Sequence, residues 1–515
     1  MKRKLAASLI RAAVLLTFGS GITLLYLRFT GEPAARRPDL DALYSRAAMH
    51  DVGDRNPVIV IPGFLGSKLV DAPTGRTVWG AFGGDAVDPR NAKDAAILAF
   101  PMQQGVPIEE LQDGVRVDGV LDSLRINIVG LSTEQSAYLN ILRTLGVGGY
   151  RDDELGKFAI DYGDRHFTCF QFGYDWRKDI ATLAVELDEF IESRAEYIRK
   201  ERLERFGVDR PVKFDIVAHS MGGLIARYYL RHGSQPLMEV DSDAEVSWAG
   251  AERVEQAILV GTPNGGSVKS ARALIEGVKL LPLLPSYNSG LIGTFPSIYA
   301  LLPRFRHCAI VDEESGAAID LLNAEEWETR EWGLLDPDHA ETLAWLLPEA
   351  TPAERRTIAR DHLQKCLTRT SRLHELLDAP AKPPEGLAIH LFAGDAVETQ
   401  SAVSVAPDGA LTIVESAPGD STVTRASALL DERGTDGLRW TPRLRSPIAW
   451  SSARFLFKDH FGLTEDSAFV DNALYLLLEA PRQGVPDLTA ETPIVGESRS
   501  TTPPMMKKDF MPAVP

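Results

Sequence analysis

The chain has 515 residues, 44% hydrophobic and 25% charged, a balance that describes a globular protein and excludes a wholly disordered or fibrous one. Its formal net charge of -17 offers no broad phosphate-neutralising surface, which excludes nucleic acid as a partner and makes any membrane contact local and apolar. Cys169, Cys308 and Cys366 lie far apart without C-x-x-C spacing, so neither a metal site nor a disulfide framework is expected.

Met1-Lys-Arg-Lys precedes an apolar stretch from Leu5 to Leu27 broken only by Arg11. Basic residues ahead of an apolar run mark a secretory signal or membrane anchor, so residues 1–28 are read that way and the body is expected outside the cytoplasm. Residues 29–52, rich in Arg, Pro and Ala, read as a linker. Residues 53–480 read as one domain, and residues 481–515, rich in Pro, Ser and Thr, as a disordered tail.

Within the body, Val58-Ile-Val-Ile ends at Pro62-Gly63, the pattern of a buried strand entering a tight loop. Leu139 to Leu145 reads as a helix closed by glycines, and Phe167 to Phe172 as a second strand. Ile180 to Phe206 shows apolar residues at helical spacing among charges. Strands are expected at Val212–Val217, Val254–Val260 and Leu387–Ala393, with helices at Gly223–Arg231 and around Leu474–Leu478. Alternating strands and helices predict an α/β fold, a mainly parallel sheet with helices on both faces. Two stretches, about 67–136 and 265–385, break this rhythm and are too long for loops. They read as insertions over the catalytic edge of the sheet.

Phe214-Asp-Ile-Val-Ala-His-Ser-Met-Gly-Gly joins a strand to a helix through Ser220. Small neighbours let strand and helix approach at such a turn, which exposes the serine as a nucleophile. Ala218 stands where glycine is usual and is still small. In the corresponding hydrolase topology the chain order is serine, acid, histidine. Of the seven histidines after Ser220, only His460 lies behind the last strand and ahead of the last helix. His232 falls on the helix after Ser220, His390 falls inside a strand, and His219 points away from the serine. Asp395 and Asp420 both suit the acid, and topology leaves the choice open. The oxyanion donors are expected to be the amides of Met221 and Phe64.

Several segments, in order, resemble the lecithin:cholesterol acyltransferase family. They are Val58-Ile-Val-Ile-Pro-Gly-Phe-Leu-Gly-Ser-Lys-Leu, Tyr174-Asp-Trp-Arg, Ala218-His-Ser-Met-Gly-Gly, Gly261-Thr-Pro-Asn-Gly-Gly-Ser, Pro296-Ser-Ile-Tyr-Ala-Leu-Leu-Pro, Gly419-Asp-Ser-Thr-Val and the stretch around His460. The resemblance implies an α/β-hydrolase fold with a cap at 265–385 and a membrane-contacting insertion at 67–136. It selects Asp420 as the acid, because the family's aspartate lies in a Gly-Asp-x-Thr-Val turn. It implies acyl transfer from a lipid ester through an acyl-enzyme, to water or to an alcohol, with no cofactor. The competing expectations are a plain carboxylesterase or triacylglycerol lipase, and a non-catalytic, membrane-tethered lipid-binding protein.

Overall fold

The computed structural model describes residues 45–480 except 51–52, 122, 129–130, 137, 159, 163–165, 242–244, 280–284, 308 and 434–439. The expected anchor, most of the linker, the tail and Cys308 therefore lie outside the described residues. Among those described, no helix is long and apolar enough to cross a membrane.

The central sheet holds β1 (Val58–Ile61), β2 (Cys169–Gln171), β3 (Phe214–His219), β4 (Val254–Val260), β5 (Ala388–Gly394) and β6 (Ser452–Leu456). Its order is β2-β1-β3-β4-β5-β6, and every neighbouring pair is parallel. This is the α/β-hydrolase core. The inner strands β1, β3 and β4 are the most deeply buried because both faces are covered there, and β1 is wholly β-branched. Ile59, Ile61, Ile216, Ala218 and Leu259 enter one apolar core, while Val58, Val60, Val217, Ile258 and Val260 enter another. The two-residue period of the strand thus divides one apolar run between two layers.

Five helices matter for the layers: α1 (Leu139–Val147), α2 (Ile180–Phe206), α3 (Gly222–His232), α4 (Pro352–Asp378) and α5 (Ser467–Leu474). Helices α1 and α5 cover one face through Ile141, Leu145, Phe469 and Ala473. Helices α2 and α3 cover the other through Leu183, Leu187, Leu224 and Ile225. Helix α2 begins where the Asp179 carboxylate accepts from the amides of Ala181 and Thr182, and it ends at Gly207, whose φ of 66° suits glycine.

The structure moves several expected boundaries. Strand β3 runs to His219 rather than stopping at Val217, β2 shortens to Cys169–Gln171, and the last α-helix ends at Leu474, with a π turn over Tyr475–Glu479. The 67–136 stretch contains two small sheets, one from Ser67–Asp71, Thr77–Trp79 and Val115–Val120, the other from Ala81–Phe82, Ser123–Ile128 and Leu131–Ser136. The 265–385 stretch is mostly helical and includes α4, which starts with a capping box between Thr351 and Glu354 and Pro352 in the first turn. Beyond β5 the chain leaves the main sheet for a hairpin of Val397–Val405 and Leu411–Gly419, whose last residue precedes Asp420.

Candidate active site

Strand order reverses at β1. The chain runs from β1 outward to β2, then returns to the other side of β1 as β3, so a crevice opens beyond the carboxyl ends of β1 and β3. Ser220 follows β3 directly, and the Pro62-Gly63-Phe64 loop follows β1. Ser220 has a φ of 53°, in the left-handed region. A side chain there costs about 1–2 kcal/mol, and the surroundings enforce it. The Ser220 amide donates to the Val260 carbonyl at 2.8 Å, and the Gly223 amide donates to the Ser220 carbonyl at 3.0 Å.

Helix α3 must leave this turn close against its neighbours. A Cβ on Gly222 would run into the carbonyl oxygens of Ile61 and Pro62, and one on Gly223 into the Thr262 side chain. Ala218, by contrast, sits inside β3 in register with Ile61 and Leu259, where a methyl group fits. The turn thus needs its two glycines after the serine and tolerates alanine before it.

Ser220 Oγ lies 2.9 Å from His460 Nε2, and His460 Nδ1 lies 2.8 Å from Asp420 Oδ2. A carboxylate only accepts, so Nδ1 carries the hydrogen toward Asp420 and Nε2 is free to accept from the serine hydroxyl. The other Asp420 oxygen accepts from the amides of Thr422 at 3.0 Å and Val423 at 2.7 Å. Burial alone would raise the Asp420 carboxyl, but the His460 charge and hydrogen bond and the two amides outweigh it and hold its pKa below the usual value. Gly261 backs the imidazole. Its φ is 58°, and a Cβ there would sit 3.2 Å from His460 Cε1 and Nδ1.

Asp395, the rival acid, is elsewhere: its carboxylate pairs with Arg425 Nη1 at 2.9 Å. His362 and His374, both on α4, contact the carbonyls of Thr294 and Ala300 at 3.0 Å, and His390 contacts Ser452. These histidines are packed polar groups of the core.

Among the described residues, the amides of Phe64 and Met221 have no hydrogen-bond partner. Both flank Ser220. A Cβ on Gly63 would stand 2.7 Å from the Ser220 Cβ, which measures how near the loop comes. The loop is pinned on several sides. Tyr174 Oη donates to the Pro62 carbonyl at 2.7 Å, and the Trp79 indole donates to Leu65, whose φ is 63°, at 2.8 Å. The Phe64 ring meets Trp176 edge-on at 5.2 Å. Behind it, Arg177 is fully buried and binds Asp175, Asp113 and the carbonyls of Leu98 and Ala99. Ser297 donates to the Trp176 carbonyl at 2.5 Å. The Tyr174-Asp-Trp-Arg and Pro296-Ser-Ile-Tyr segments therefore hold the loop rather than supply reacting groups.

Sequence reasoning missed Trp79 and Tyr138. Tyr138 Oη accepts from the Gly63 amide at 2.8 Å, yet neither residue lies in a motif, and only folding brings them to the site. Among the described residues no group of three or more His, Cys, Asp or Glu is placed to hold a metal ion.

The chain is similar over residues 132–330 to the lecithin:cholesterol acyltransferase family, as its model matches there. That span contains Ser220 and ends before Asp420 and His460. Among solved structures, the crystal structure of the Tle4-Tli4 complex is 16% identical, covering 82% of this chain and 98% of that one with a TM-score of 0.49. The mature lipase BlEst2 of Bacillus licheniformis is 12% identical over 83% of this chain and 94% of that one, with a TM-score of 0.29. EstA of Clostridium botulinum is 15% identical over 88% and 94%, with a TM-score of 0.30. No curated protein matches the chain.

Proposed function

We propose, from an α/β-hydrolase core that matches the lecithin:cholesterol acyltransferase family over residues 132–330, that the protein is a serine-dependent enzyme acting on lipid esters. The observation that carries this reading is the continuous chain from Ser220 Oγ through His460 to Asp420, at 2.9 and 2.8 Å, beside two amides without partners. The family match supports a lipid acyl ester as substrate.

In the proposed cycle, His460 Nε2 takes the proton of Ser220 as Oγ attacks the ester carbonyl. The oxygen of the tetrahedral intermediate takes up the negative charge and receives hydrogen bonds from the Phe64 and Met221 amides. Asp420 holds the imidazole tautomer and stabilises the cation. The carbon–oxygen bond to the leaving alcohol breaks, and the proton on Nε2 passes to that alcohol. An acyl-Ser220 ester remains. His460 then takes a proton from a water or an acceptor alcohol, whose oxygen attacks the acyl carbonyl, and returns it to Ser220. Water gives a lipase or phospholipase, and an alcohol gives an acyltransferase.

The test incubates the protein with an acyl-labelled phospholipid and a long-chain alcohol or sterol, wild type beside Ser220→Ala. Label in a new ester that disappears in the variant is the result expected of an acyltransferase. Label only in free fatty acid makes the protein a lipase. No turnover by wild type, with no labelling by a fluorophosphonate, would overturn the catalytic reading and favour a lipid-binding protein.

A further inference from the structure

A second set of buried polar groups lies behind the reacting ones. Tyr138 and His219 are 3% and 2% exposed. Tyr138 Oη is 2.8 Å from the Gly63 amide nitrogen and 3.2 Å from His219 Nδ1, and His219 Nε2 is 3.0 Å from the His460 carbonyl oxygen. The direction of every bond follows from what each group can do. A peptide carbonyl only accepts, so His219 carries its hydrogen on Nε2. Burial, and then the nearby His460, push the His219 pKa down to about 3, so the ring is neutral and Nδ1 accepts. The Tyr138 hydroxyl therefore donates to Nδ1, and its oxygen receives the Gly63 amide. The chain runs one way, from Gly63 through Tyr138 and His219 to His460.

We propose that Tyr138 and His219 form a brace that holds the oxyanion loop and the base loop in register with Ser220, and that both are positioning residues for acyl transfer. The proposal rests on the function proposed above. The brace ends on the two loops whose spacing from Ser220 sets the reaction geometry, and its middle member is the residue before Ser220. The His460 peptide is gripped from both sides: its amide donates to the Asp420 carbonyl at 2.8 Å, while its carbonyl receives His219. The Gly63 amide is occupied by Tyr138, and the next amide, that of Phe64, is left for the oxyanion. The Phe461 ring packs beside both histidines, with its centroid 6.1 Å from that of His219 and, edge-on, 5.8 Å from that of His460. An error of 1 Å between reacting groups costs roughly 100-fold in rate, so a link between these loops affects turnover more than substrate binding.

The test measures kcat and KM on a soluble p-nitrophenyl ester for the full chain as wild type, Ser220→Ala, Tyr138→Phe, His219→Asn and the Tyr138→Phe/His219→Asn double variant, with thermal melts for each. Tyr138→Phe and His219→Asn are each expected to lower kcat about 10- to 100-fold with KM little changed. The double variant is expected to be no worse than the poorer single variant, because both break one chain. Losses that multiply in the double variant, a change in KM alone, or wild-type kcat in Tyr138→Phe would overturn the brace while leaving the catalytic reading intact. If Tyr138→Phe does not melt cooperatively, His219→Gln replaces it. Its amide N–H replaces Nε2–H toward the His460 carbonyl but puts no acceptor at the Nδ1 position that faces Tyr138, so kcat is still expected to fall, and wild-type kcat in both His219 variants would overturn the brace. No turnover by wild type, or full turnover by Ser220→Ala, removes the catalytic reading and the brace with it.

Discussion

At the scale of single residues, geometry separates groups that the sequence leaves equivalent. Asp395 and Asp420 both follow a strand and a glycine, and both suit a triad acid by topology. In the structure Asp420 meets His460, while Asp395 meets Arg425 and has no part in the chain to Ser220. Asp420→Asn is expected to lower kcat about 10⁴-fold, because an amide in place of the carboxylate stabilises the wrong imidazole tautomer. Asp395→Asn is expected to leave kcat within about twofold, since it breaks only a partly exposed ion pair. Steady-state kinetics of the two variants on one soluble ester checks both, and equal losses would contradict the assignment. The glycines after Ser220 were legible for a steric reason that holds in any such turn. Between these two carboxylates, the sequence favoured Asp420 only through the Gly419-Asp-Ser-Thr-Val resemblance.

At the scale of elements, buried strands were readable and exposed ones were not. Strands β1, β3 and β4 are mostly apolar runs, buried along all or nearly all of their length, because both faces of the sheet are covered. The strand Leu411–Gly419 is exposed along most of its length, so it carries no such run. Helix α4 went unread in an insertion although Thr351, Pro352 and Glu354 mark its start, because its charges obscure the apolar positions Leu363, Leu367 and Leu377. Within the other insertion, Arg76 binds Asp94 through two bonds, at 2.6 and 2.9 Å, and ties the strand region to the helix Ala92–Leu98. The Arg76 hydrogen bond lowers the Asp94 pKa from 3.8 to about 2. A carboxyl depressed on folding adds stability above its unfolded pKa and loses it as pH falls through the folded one. Wild-type stability is therefore expected to fall between pH 4 and 2, and Asp94→Asn to be less stable at pH 7 with a smaller fall over that window. Urea midpoints at stepped pH measure this, and parallel curves for the two proteins would contradict it.

At the scale of the whole molecule, every group of the proposed site lies between Gly63 and His460, inside the described body. A chain trimmed to residues 45–480 is accordingly expected to hydrolyse a soluble ester as fast as the full chain. If the basic and apolar start at residues 1–28 tethers the protein, the trimmed form is also expected to stay in the supernatant when membranes are pelleted, while the full chain sediments. Turnover lost on trimming would place part of the site in the ends. Sedimentation of both forms would move the membrane contact into the body.

Local pattern determined much of this protein. Short, mostly apolar runs determined the strands of the core, apolar residues at helical spacing determined helix α2, and the order of elements determined a parallel sheet. The demand for small residues around a strained turn determined where Ser220 would be. Those features depend on near neighbours in the chain. The tertiary structure alone decided that Asp395 meets Arg425 and not His460, and that Trp79 and Tyr138 support the loop after β1. These contacts join residues from 14 to 75 positions apart, and their bonds form only where folding brings remote parts of the chain together. No period or motif encodes such a meeting, because hydrogen bonding depends on distance in space and the chain records only order.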